Sequence, residues 1–297
     1  MNTESAVKEK KTVALVSVLA AVFLTASKTV IGVLTGSLGI LAEALHSGLD
    51  LLAALITYFS VRISDRPADS DHHFGHGKIE NLSALIETIL LLVTCVWIIY
   101  EAVHRLVTGR VHIEVTYWSY IVVVTSIVVD FTRSRALMKA AKKHNSQALE
   151  ADALHFSTDI WSSAVVLVGL ICANIGWHYA DAIAALVVAA IVIYVCIKLG
   201  KRAIAVLLDR APEGMLETIY ETAREIPEIA TAHDIRIRNA GADVFVDMCI
   251  HVDRTLTIDQ AHEISHRLEG KLHQKIKRCI VHVHEEPEVE EGPEEGT

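Results

Sequence analysis

The stretch LAEALHSGLD, residues 41–50, places Glu43, His46 and Asp50 inside what otherwise reads as a membrane-spanning helix. A second stretch, LEADALHFSTD at 149–159, repeats the pattern with His155 and Asp159. Ionisable groups at membrane depth are costly and mark function by default. Each pair is spaced i, i+4, so its imidazole and carboxylate share one helix face. The two segments run in opposite directions, and all four residues fall in the central band of a hydrocarbon core about 30 Å thick. Two imidazoles and two carboxylates around one point make a tetrahedral N/O set, a zinc geometry. HxxxD is not the HExxH of a metalloprotease. Four protein ligands also leave no open position for a catalytic water. The pattern therefore favours transport over hydrolysis and predicts that the protein is not an enzyme.

The rest of the chain agrees with a membrane setting. Of 297 residues, 52% are hydrophobic, and the mean hydropathy is +0.39, too apolar for an ordinary soluble domain. The apolar residues fill positions 12 to about 208 and supply six candidate spans of roughly 20 residues or more. They are Val13–Leu34, Leu38–Ile63, Ile79–Val103, Val115–Leu137, Ala148–Ile175 and Trp177–Leu208. The first is read as a retained helix and not a signal peptide, because no small-residue cleavage site follows it. Lys8, Lys10 and Lys11, then Arg62, Arg66 and Lys78, then Arg133, Arg135, Lys139, Lys142 and Lys143 lie on one side; the other offers Arg105 and Arg110. The positive-inside bias puts both termini in the cytoplasm. Glu43, Glu87, Lys28 and Asp130 show no partner pattern and read as interhelical or end-of-span groups.

After residue 210 the pattern changes. Glu213–Glu225 is helical, Ala232–Arg238 and Val244–Val252 alternate as strands around Asn239-Ala-Gly-Ala, Thr257–Ile276 is helical behind a Thr257/Gln260 capping box, and Cys279–His284 is a last strand. The α-β-β-α-β order predicts a small α+β domain with its helices on one face of the sheet. The expected division is a six-helix transport domain over 1–210, a cytoplasmic metal-binding and dimerisation domain over 211–287, and a disordered acidic tail over 288–297. Much of the net charge of −9 sits in the acidic end EEPEVEEGPEEGT, which begins at Glu285 and reads as disordered. No basic face with interleaved aromatics exists, so no nucleic-acid partner is expected. The five cysteines form no CxxC and no disulfide framework.

GSLGILAEALHSGLDLLA (36–53), RPADSDHHFGHGKIENLSAL (66–85) and ALEADALHFSTDIWSSA (148–164) together resemble the cation diffusion facilitator family over nearly the whole chain. That resemblance implies a homodimeric exporter of divalent metal ions, exchanging metal for protons, with a metallochaperone-like C-terminal domain. It implies a transport site of His46, Asp50, His155 and Asp159. Some bacterial members have Asp at the position of His46; the two-His, two-Asp form resembles the zinc-preferring branch. It also implies a loop site of Asp69, His72 and His76, with Asp71 and His73 as neighbours able to substitute, and a charge interlock between Lys78 and Asp209. In the C-terminal domain His233, His262 and His282 match ligand positions, while Cys249 and His284 depart from the family's usual His and acidic residue. Asp247, Cys249 and His251 share one strand face. The expected function is a Zn2+/proton antiporter in a bacterial inner membrane, with Zn2+ as both transported and regulatory ion. The alternatives are an iron or broad-range divalent exporter (Fe2+, Co2+, Ni2+, Cd2+), and a non-transporting metal sensor or scaffold on the same fold.

Overall fold

The computed structural model describes residues 3–36, 38–108, 117–174 and 180–288. Arg110, the acidic end from 289 onward and the side chains of Glu43 and Arg105 lie outside the described residues. The chain divides into two compact units, Met1–Ile204 and Ala205–Thr297.

The first unit is helical. Its elements are α1 (Thr3–Thr35), α2 (Leu38–Ser64), α3 (Lys78–Thr108), α4 (Tyr117–His144), α5 (Gln147–Asn174) and α6 (Ala180–Leu207, whose last turn enters the second unit). These six helices stand where six spans were expected. Within the described residues three are long and apolar enough to cross a membrane: Ser5–Thr35, Ala44–Ser64 and Lys78–His104. α4 is interrupted by Asp130, Arg133 and Arg135, and parts of α5 and α6 lie beyond the described side chains.

Small residues let the helices approach closely, as expected where lipid removes the hydrophobic drive between them. Ala14, Val18 and Ala21 of α1, Ala54 and Val61 of α2, Leu137, Ala140 and Ala141 of α4, and Ala148, Leu149, Ala153 and Phe156 of α5 form one buried cluster. Gly32 marks a close crossing of α1 and α2: a Cβ there would stand 2.8 Å from Leu41 Cδ2, at the start of the LAEALHSGLD stretch.

The lysine-rich N-terminal arm is the first three turns of α1, and Lys10 is buried at 4% exposure. Its ammonium donates to Asp65 (2.6 Å) at the end of α2 and to Glu80 (3.0 Å) at the start of α3. Partners 55 and 70 residues away satisfy a charge that local composition assigns to solvent. The last strand runs past the expected His284 through Glu285 and Glu286 to Pro287.

The second unit follows the order α7 (Met215–Arg224), β1 (Ile229–Ala240), β2 (Asp243–Val252), α8 (Ile258–Lys275), β3 (Cys279–Pro287). β1 and β2 pair antiparallel across a turn at Gly241, which takes the left-handed conformation (φ 63°) that glycine adopts without a Cβ penalty. β3 pairs parallel with β2, and α8 forms the crossover. Alternation along β2 decides the layering. Val244, Val246, Met248, Ile250 and Val252 face inward against Ile219 and Ala223 of α7 and Ile264, Leu268 and Leu272 of α8. The odd-numbered residues of β2 therefore face away from the helices. At the start of α8 both halves of the Thr257/Gln260 capping box are formed.

Candidate metal centre

The two HxxxD faces meet. His155 Nε2 lies 3.2 Å from Asp50 Oδ1 and 3.7 Å from Asp159 Oδ2. His46 Nε2 lies 3.9 Å from Asp50 Oδ1 and 3.7 Å from Asp159 Oδ1. Ligand atoms about 2.1 Å from one zinc ion in a tetrahedron stand about 3.4 Å from each other. These four His–Asp separations fall within about half an ångström of that spacing; His46, Asp50 and Asp159 offer donor atoms all within reach of one another, with His155 beside both carboxylates. His155 is 3% exposed and Asp50 and Asp159 are each 9% exposed. The His46 side chain retains 34% exposure and forms the open edge of the site.

Polar groups around this centre hold its helices in place. Lys28 of α1 donates to Ser47, the residue after His46, at 2.8 Å. Arg133 of α4 lies over the ring of Phe156, the residue after His155, at 3.5 Å, and donates to Asp130 (3.2 Å) and Ser17 (3.1 Å). Ser17 in turn donates to Asp152 on α5 at 3.3 Å. Glu87 of α3 accepts from Thr57 of α2 (2.5 Å) and from Ser83 (3.0 Å). Lys28, Glu87 and Asp130 thus make the interhelical or within-helix contacts that bundle-facing polar residues make; the side chain of Glu43 is outside the described residues.

The loop after α2 gathers Asp69, His72 and His76 within reach of one another. Asp69 Oδ1 accepts from the backbone N–H groups of His72 (2.7 Å) and Asp71 (3.0 Å) and stands 3.1 Å from His72 Nδ1. Its Oδ2 lies 3.3 Å from His76 Nε2. Gly75, at φ 73°, turns the chain so that His76 folds back over Asp69. The His72 backbone N–H is the main reason the Asp69 carboxyl sits below its ordinary value. The ring of His73 meets the Ser70 carbonyl instead, at 3.0 Å.

In the second unit the outer sheet face carries rows of donor residues. Cα pairing sets His233 beside Cys249 and Cys249 beside His284, with His251 beside Glu286 and Asp247 beside His282. Two overlapping donor groups result: His233, Asp234 and Cys249, and His233, His251 and Glu286. In the second group His251 Nε2 is 3.3 Å from His233 Nε2 and 3.3 Å from Glu286 Oε2, and Thr231 Oγ1 fixes the other face of the His251 ring at 2.9 Å from Nδ1. A β-bulge between His233 and Arg236, with Asp234 at φ 49°, brings two consecutive residues to the site. Partial burial and the nearby Glu286 and Asp234 carboxylates push the Cys249 thiol up.

The structure thus brings His233 and Cys249 together and adds Glu286, which the sequence reading did not include, and His251, which it noted only as sharing a strand face with Cys249. Asp and His on alternate strand positions are visible in the sequence; the parallel register that sets Glu286 beside His251 is not. His282 and His284 line a shallow groove with Cys249 and Asp234 but join neither donor group. His262 is on α8, where its ring packs edge-on against His266 at 4.4 Å. Lys78 opens α3, and Asp209 follows α6 with φ 59°.

Comparison with known proteins agrees with these observations. The family model for the cation efflux transmembrane domain matches residues 14–208, and that for the cation efflux protein cytoplasmic domain matches 211–288. The cation-efflux pump FieF of Citrobacter koseri is 33% identical over 260 residues, covering 85% of this chain and 84% of that protein. FieF of Salmonella typhimurium is 32% identical over the same length. Among solved structures, a nickel form of the MamM CTD shares 32% identity over 26% of this chain and 100% of that chain, with TM-score 0.25. A cadmium form of the MamM CTD gives the same identity and score. With both domains matched in order and the relatives aligned over most of their length, the chain belongs to the cation diffusion facilitator family of cation-efflux transporters.

Proposed function

We propose that this protein is a zinc/proton antiporter that moves Zn2+ out of the cytoplasm across a bacterial inner membrane, as a homodimer with both termini cytoplasmic. The observation that supports this reading is the meeting of the two HxxxD pairs: His46, Asp50 and Asp159 offer donor atoms within reach of one another, and His155 Nε2 stands 3.2 Å from Asp50 and 3.7 Å from Asp159. Two imidazoles among the donors favour zinc over cations that prefer all-oxygen sites. Metal binding requires neutral His and ionised Asp, so loading releases protons and protonation releases metal. Imidazoles make that exchange in the physiological range. Zn2+ entering from the cytoplasm displaces protons; after the helices expose the cluster outward, external protons displace Zn2+. Neither step makes or breaks a covalent bond in a substrate.

The loop group and the outer sheet face serve as cytoplasmic metal stations in this scheme. Metal on His233, His251, Cys249 and Glu286 would draw the domains of two protomers together, consistent with a family model that names this region for dimerisation. The family resemblance assigns Lys78 and Asp209 to a charge interlock. Lys78→Asp alone should lower transport, and adding Asp209→Lys should restore it; failure of the swap to restore transport removes the interlock from the scheme.

The test of the function is uptake of radioactive zinc into inverted vesicles with an inward-acid proton gradient. Uptake that collapses with the gradient supports the antiporter. Competing Fe2+, Co2+, Ni2+ and Cd2+ in the same vesicles separates a zinc transporter from a broad-range exporter. A chain that binds zinc in its second unit yet moves none would be a sensor, a role that has no use for ligands at the membrane midplane.

A further inference from the structure

Helices α3 and α6 meet along a seam of small residues that runs antiparallel. Ala84 and Ala203 share a buried cluster with Ala151 of α5. A Cβ on Gly200 would stand 3.6 Å from Thr88 Cγ2. Farther along, Leu91 and Cys95 of α3 close against Val192 and Cys196 of α6, each pair one helical turn apart. Cys95 is 1% exposed and Cys196 is 3% exposed. Neither is in a disulfide, and the two lie in one buried cluster.

A buried cysteine ordinarily acts as a small hydrophobe. Toward Ala84 and Ala203 the seam fills that need with alanine and glycine. Two cysteines that face each other from different helices add a chemistry that alanine lacks, because one S–S bond would join the helices covalently. Such a bond would hold α6 at one register on α3. Shear between packed helices is a common transport and switching motion.

We propose that Cys95 and Cys196 form a redox modification site, at which a small uncharged peroxide converts the thiol pair to a disulfide that pins α3 to α6 and arrests transport. The peroxide oxidises one thiol to a sulfenic acid, releasing one water as its O–O bond breaks. The second sulfur then attacks that sulfur, forming the S–S bond and releasing a second water. Both cysteine sulfurs are oxidised, the two peroxide oxygens are reduced, and both thiol hydrogens leave in water. A dithiol reductant reverses the step by exchange. The chemical step is independent of the proposed function; only the arrest of transport rests on it.

The full-length protein in vesicles, treated with hydrogen peroxide and then alkylated, digested and analysed by mass spectrometry, tests the proposal. The expected result is a linked peptide containing Cys95 and Cys196, loss of zinc uptake in the same sample, and recovery of both free thiols and uptake with dithiothreitol. Cys95→Ala and Cys196→Ala, which extend the alanine character of the seam, should transport before peroxide and keep transporting after it. Three results overturn the proposal: both thiols alkylated singly after peroxide, a linked pair with unchanged uptake, or Cys95→Ala losing uptake as readily as the parent. Mapping the link in the unsubstituted protein needs no variant to fold. If the untreated protein moves no zinc, the antiporter reading fails, while the linked peptide still decides the redox step.

Discussion

Asp50→Ala lowers zinc uptake by at least about 100-fold while leaving the helices assembled. Substitutions one shell out from a metal typically cost 10–100-fold, and Asp50 supplies a donor atom directly. It stands 3.2 Å from His155 Nε2 and 3.9 Å from His46 Nε2, so it touches both imidazoles of the cluster. Its removal leaves three donors and loses one of the two charges that neutralise a divalent ion. Asp159→Ala should match it, since Asp159 also faces both imidazoles, at 3.7 Å each. The surrounding polar contacts, Lys28 to Ser47 and Arg133 to Asp130 and Ser17, do not pass through either carboxylate. Assembly, checked by size-exclusion and circular dichroism, should persist. Uptake by either variant at the parent rate would remove the cluster from the transport path.

The second large effect is on stability. Leu268 is fully buried in the second unit, between the inward face of β2 and the two helices. Leu268→Ala deletes apolar volume from a small core and should cost about 2–5 kcal/mol. A domain of this size loses roughly 4–8 °C of melting temperature per kcal/mol, so the expected shift is on the order of 8–40 °C. Hydrogen exchange on the full chain would show the loss confined to residues 211–288. Glu263→Ala, an exposed change on the same helix, should stay within about 0.5 kcal/mol. Equal exchange profiles for the two variants would contradict the layering in which α8 covers the sheet.

The approach of the two HxxxD faces was legible because it depends only on helix geometry and depth. HxxxD fixes a face, and two such faces at matching depth on antiparallel helices have one place to meet. The Thr257/Gln260 capping box and the alternation of Val244–Val252 were readable for the same local reasons. What escaped depends on distant partners. Lys10 looks like part of a solvated arm until Asp65 and Glu80 arrive to pair with it. Glu286 looks like the start of an acidic tail until the parallel pairing of β3 on β2 sets it against His251. The bulge at Asp234 has only a faint signal, an Asp that tolerates a left-handed backbone. His262, which the family resemblance matches to a ligand position, lies on α8, where its ring packs edge-on against His266.

Calorimetric titration of zinc into the purified full chain, in two buffers of different ionisation enthalpy, tests the central claim most directly. The account predicts that Asp50→Ala/Asp159→Ala binds one zinc ion fewer per protomer than the parent and that the proton release belonging to that ion disappears with it, while the cytoplasmic sites still fill. An unchanged zinc count with unchanged proton release in the double variant would contradict it.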